Sequence, residues 1–142
     1  MSKSDTGEVT FSEQFKARFR TGLGREFYSP LIDRLEGHGL RAAGSENSHT
    51  LQFKWTDSIG RKHALIALRN HPDRVVSFPK SYWASRSGKA GSLCERFAVG
   101  QTRLPSGPSG KESFREVLLN KDTFSDLLAV ADEICVYAKA QV

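Results

Sequence analysis

HTLQFKWTDSIGRKHALIALRNHPDRVVSFP, residues 49–79, decides how this chain folds. From His49 to Thr56 the side chains alternate: Leu51, Phe53 and Trp55 on one side, Thr50, Gln52, Lys54 and Thr56 on the other. A strand repeats every two residues, so this is a strand with one face in the core. Asp57-Ser58-Ile59-Gly60 is turn chemistry. Arg61 to Arg69 follows with a near-continuous apolar run, Ala64 to Leu68, as expected of a central strand covered on both faces. Asn70-His71-Pro72-Asp73 turns the chain again. Arg74 to Phe78 is a third strand, ended by Pro79, which has no N–H for a ladder. Short turns between successive strands predict an antiparallel meander.

Helical signals flank it. Thr10-Phe11-Ser12-Glu13 has the spacing of a capping box, and Phe11, Phe15 and Phe19 then recur every fourth residue, a core stripe. Gly22 and Gly24 end that helix. Ser29-Pro30 reads as the cap and first position of a second helix with Leu31, Ile32 and Leu35 on its apolar side, closed by Gly37. Leu40 to Ala43 fits a short strand and residues 44–48 a turn. Residues 80–110 are rich in Ser, Gly, Lys and Arg and read as a long basic loop, with a short element around 93–99. Ser109-Gly110-Lys111-Glu112 is a second capping box, predicting a helix that carries Phe114, Val117 and Leu118. A last helix is expected from about Thr123 to Ala138. The fold class is therefore α+β: a three- to four-stranded antiparallel meander between N-terminal and C-terminal helices. Residues 1–9 form a flexible start and 10–142 one domain.

The 142 residues carry a net charge of +5, unevenly spread. Residues 1–53 balance seven Lys/Arg against seven Asp/Glu; residues 54–103 hold ten against three; residues 104–142 hold four against six. A concentrated positive middle favours a polyanionic partner. Surface solubility and edge protection are the bland reading of the same charges. No apolar run has transmembrane length, the first residues lack an apolar signal core, and two cysteines, Cys94 and Cys135, fit a reducing compartment; the expectation is a cytoplasmic protein with no membrane partner.

Within this middle, KSYWASRSGKAGS (80–92) places Tyr82 and Trp83 among Lys80, Arg86 and Lys89. Cations neutralise phosphates, exposed rings stack on bases, and Gly88 and Gly91 allow close backbone approach to a phosphate. Arg61 and Lys62, at the start of the preceding strand, and Lys54 extend the patch. The set Lys54, Arg61, Lys62, Lys80, Tyr82, Trp83, Arg86 and Lys89 is the expected nucleic-acid surface, for DNA or RNA, with single-stranded or structured forms favoured by the rings. In the competing reading Tyr82 or Trp83 caps the core and the cations are solvated.

Two alternatives use the same residues. Tyr, Trp and Arg also dominate protein hot spots, so a regulator or inhibitor docking on an acidic protein fits as well. The amphipathic end helices suit a homodimer seam. A metal-dependent nuclease would pair Gln52-x-Lys54 with Asp33, Glu36 or Asp57, but the pair begins with an amide and lacks two converging carboxylates. Neither Gly88-Lys89 nor Gly110-Lys111 completes a phosphate loop, since the first glycine and the final Ser/Thr are both absent. The histidines (38, 49, 63, 71) and cysteines share no zinc spacing, though His49 and His63 could meet across a hairpin. Cys94 has Arg96 nearby to lower its pKa but no histidine beside it. No catalytic residue, metal or cofactor is expected.

Overall fold

A computed structural model describes residues 11–22, 24–44, 49–70, 73–103 and 113–140. The proposed flexible start, the Thr10 cap, the 44–48 turn beyond Gly44 and the Ser109–Glu112 box fall outside these residues. Helices α1 (Phe11–Thr21) and α2 (Arg25–Gly37) lead into strands β1 (Arg41–Gly44), β2 (Thr50–Thr56), β3 (Lys62–Arg69) and β4 (Val75–Pro79). Short helices α3 (Lys80–Trp83) and α4 (Ser87–Cys94) follow, joined by a 3-10 turn. Strands β5 (Thr102–Arg103) and β6 (Ser113–Leu118) and helix α5 (Phe124–Ala140) complete the chain.

The mixed α+β class stands, with the meander extended to six antiparallel strands in the order β1-β2-β3-β4-β6-β5. Residues opposite one another in an antiparallel ladder share a face. Leu51, Leu68, Val76 and Val117 form one row across the sheet, and all are buried. This face packs into a single hydrophobic cluster with Tyr28, Leu31, Ile32 and Leu35 of α2, Trp83 of α3, Leu93 of α4 and Leu127, Ala131 and Ile134 of α5. The other face carries the row Gln52, Ala67, Ser77, Glu116 and Arg103.

Three local expectations are corrected. Helix α2 begins at Arg25, so Pro30 lies inside it. Its cap is Gly24, at φ +82, where an added Cβ would fall 2.5 Å from the Arg74 side chain. An internal proline costs about 3 kcal/mol; complete burial of Tyr28, Leu31, Ile32 and Leu35 offsets it. The expected loop after Pro79 is helical from Lys80 to Cys94, because Tyr82, Trp83, Ala90, Leu93 and Cys94 bury against the sheet and α5. Tertiary burial outweighs the weak helix propensity of its Ser and Gly residues. The stretch read as a helix from its 114, 117, 118 spacing is strand β6, paired with β4. Its alternation was hidden by Glu116, a buried acid, and by a register skip at Phe114.

Candidate nucleic-acid interface

A second register skip, between Phe53 and Lys54, leaves Leu65 of β3 without an opposite residue on β2. Pairing of β3 with β4 covers only Ala67 to Arg69. Trp83 Nε1 donates to the Leu65 carbonyl at 2.8 Å. The indole is fully buried, edge-on to Phe78 at 5.4 Å and stacked with Tyr137 of α5 at 6.0 Å. Trp83 is thus a core residue, and its ring is not offered to solvent.

A chain of rings runs outward from it. Tyr82 meets Trp83 edge-on at 5.0 Å and His63 at 5.8 Å, and His63 stacks on Trp55 at 5.6 Å. Tyr82 is only 4% exposed, and its hydroxyl, buried without a partner among the described residues, has its pKa pushed up by burial, with nearby Arg86 opposing. The Arg86 guanidinium lies 4.0 Å above the Tyr82 ring and donates to the Tyr82 carbonyl at 2.9 Å and to Ser85 Oγ at 3.2 Å. The Lys89 ammonium stands 5.3 Å from the centre of the Tyr137 ring. The aromatics therefore act as the seat of the cations, through cation–π contacts.

Arg61 closes the β2–β3 turn. Asp57 Oδ1 accepts from the backbone N–H of Ile59 and Arg61, and Asp57 Oδ2 pairs with His63 Nε2 at 2.9 Å. The His63 bond chiefly holds the Asp57 carboxyl below its ordinary pKa; burial opposes it, and the backbone N–H groups of Arg61 and Ile59 add to the lowering. The side chain of Arg61 is exposed, as are Lys62 and Lys80.

Strand alternation divides the expected set. Trp55 and His63 lie on the helix-covered face, so Lys54 and Lys62 point to the opposite one, whose centre at Ala67, Ser77 and Glu116 is buried. Arg86 and Lys89 belong to the helical layer. Tyr82 and Trp83 are beneath the surface. Gly88 and Gly91 are interior to α4 rather than in a phosphate-cradling loop.

The alternative constellations do not assemble. Asp33 pairs with Arg20 and Glu36 with Lys16 on the helical side, and Asp57 is engaged by His63; none converges on Gln52 and Lys54. His49 lies beside Asn70 at the far end of the hairpin, whereas His63 opposes Trp55. Arg96 pairs with Glu133 at 2.6 Å, and burial pushes the Cys94 thiol up despite Arg115. Cys135 is likewise pushed up, to about 11, by burial. Among the described residues no group of three His, Cys, Asp or Glu could hold a metal, and no helix is long and apolar enough to cross a membrane.

Sequence reasoning missed two participants, Tyr137 and Arg41, and gave a third, Asp57, a different role. Tyr137 is the seat of Lys89, Asp57 fixes His63, and Arg41 faces Lys54 across the β1–β2 ladder. Only Asp57 left a signal, as a turn residue. No protein-family model, curated protein or solved structure matches this chain.

Proposed function

We propose that this is a nucleic-acid-binding protein that holds the phosphate backbone through the cations of its middle third. One observation supports the reading above others. Lys16, Arg20, Arg34, Arg69, Arg96 and Arg103 all pair with carboxylates. Lys54, Arg61, Lys62, Arg86 and Lys89 make no ion pair with a carboxylate of the described residues. Two of these five rest on aromatic rings instead, an arrangement that holds the charge in place without neutralising it. Such charges are available to phosphates and contribute a salt-dependent, sequence-independent affinity. With Tyr82 and Trp83 in the core, base stacking is not part of the mechanism.

The test is fluorescence anisotropy with labelled single- and double-stranded oligonucleotides of unrelated sequence, at two salt concentrations. Wild type is expected to bind both without sequence preference. The Arg61→Ala/Arg86→Ala/Lys89→Ala variant should bind more weakly, with a salt slope shallower by about 0.9 for each duplex phosphate it no longer neutralises. Absence of binding at low salt would reject the reading.

A further inference from the structure

Arg41 of β1 lies directly opposite Lys54 of β2. Lys62 projects from the same face, two positions along β3 from Ala64, the residue opposite Lys54. Neighbouring strands run about 4.8 Å apart, so three positive side chains are held in one area at the β1–β2–β3 corner of the sheet face opposite Trp55 and His63. Arg41 and Lys62 are exposed and Lys54 is half-exposed. None of them pairs with a carboxylate of the described residues. The acid nearest in sequence to Lys54 and Lys62, Asp57, is taken by His63 and two backbone N–H groups, and Glu36, on the N-terminal side of Arg41, pairs with Lys16.

Like charges directly opposite on a sheet destabilise it. Edge protection accounts for Arg41, which lies on the outermost strand. It does not account for Lys54, which lies on the second strand in the position that repels Arg41 most. Half-exposed Gln52 and Thr50 continue the same face with uncharged hydrogen-bonding groups. An anion placed over the three cations removes the repulsion and adds three charge-assisted hydrogen bonds.

We propose that Arg41, Lys54 and Lys62 form a second phosphate-binding surface, on the face of the sheet opposite Arg86 and Lys89, that takes the phosphodiester backbone of nucleic acid. The ligand class rests on the reading above; the anion site rests on the register alone. The two cationic surfaces share the end of the β2–β3 hairpin, where His63 touches Tyr82, so one strand can pass from one to the other around it.

The experiment compares wild type, Lys54→Gln, the triple Arg41→Gln/Lys54→Gln/Lys62→Gln and the helix-side Arg86→Gln/Lys89→Gln. Each is titrated with a short labelled DNA duplex across salt, and each is melted in phosphate-free buffer with and without inorganic tripolyphosphate. The salt slope of the triple should be shallower by about 0.9 for each phosphate it no longer neutralises. Lys54→Gln should melt no lower than wild type without ligand, because it relieves the repulsion. Tripolyphosphate should raise the melting temperature of wild type and the helix-side variant, but not of the triple. Equal slopes in wild type and triple, with equal tripolyphosphate stabilisation, would overturn the sheet-face site and leave the nucleic-acid reading in place. No duplex binding by wild type, with tripolyphosphate stabilisation absent only in the triple, would keep the anion site and remove nucleic acid as its ligand. Failure of both measurements in wild type would reject both.

Discussion

Trp83 donates its indole N–H, from the start of the helical segment after β4, to the carbonyl of Leu65, a residue with no opposite on β2 and beyond the β3–β4 pairing. A buried carbonyl with no donor is costly, and here a side chain eighteen residues later satisfies it. Trp83→Phe keeps most of the packing and removes the donor. It should destabilise the protein by about 1–3 kcal/mol, and Trp83→Ala by about 3–5 kcal/mol. Urea denaturation gives both numbers; a Phe variant as stable as wild type would show the bond to be dispensable.

The same burial predicts an optical signature. In a Trp55→Phe background, Trp83 should be protected from acrylamide quenching, and its emission should be unmoved by added oligonucleotide. Strong quenching on oligonucleotide binding would return the ring to the interface and contradict its place in the core.

Gly88 and Gly91 lie in α4, where an added Cβ meets no atom within 4 Å. Alanine is therefore sterically free there and lowers the entropy of the unfolded chain. Gly88→Ala and Gly91→Ala should each stabilise by about 0.5–1 kcal/mol without weakening nucleic-acid binding. A drop in affinity would mean that a phosphate comes against the helix backbone.

Glu116 is buried between two arginines on the sheet face opposite the helix-covered one. Arg69 Nη2 donates to its Oε1 at 3.0 Å and Arg69 Nη1 to its Oε2, while Arg103 Nε also reaches Oε1 at 3.0 Å and Arg103 Nη2 continues to Asp73. Removing one member of a buried pair leaves the other uncompensated, so Glu116→Ala should cost about 3–5 kcal/mol. Arg69→Met/Glu116→Leu, which removes both charges, should recover most of that stability. A double variant as unstable as Glu116→Ala would locate the cost in packing rather than charge.

Asp57 links the turn to the ring chain, and its pKa direction fixes a pH dependence. Its native carboxyl titrates below the ordinary 3.8, chiefly through His63. A depressed acid contributes stability that is complete above its unfolded pKa and is lost as pH falls through the native one. Wild type should therefore exceed Asp57→Asn in stability at pH values above the ordinary carboxylate pKa, and the gap should close on acidification below it. Chemical denaturation across that window measures the gap; a gap independent of pH would exclude the ionised carboxylate as its source.

The sequence by itself determined the class and the centre of this protein. The alternation of residues 50–56, the apolar run 64–68 and the turn residues between them depend on periodicity, which is local, so strands β2 to β4 and their meander were legible. So were α1, α5 and the positive charge of residues 54–103. Tertiary structure alone decided the rest, because it depends on groups distant in sequence. The basic segment after Pro79 becomes helical only because Tyr82, Trp83 and Leu93 find a core to enter. Residues 113–118 become a strand because β4 offers a ladder and Arg69 and Arg103 make a buried Glu116 tolerable. The candidate surface changed for the same reason: composition counts cations, but only strand register places Lys54 opposite Arg41, and only packing turns Tyr82 and Trp83 from exposed rings into the support beneath Arg86.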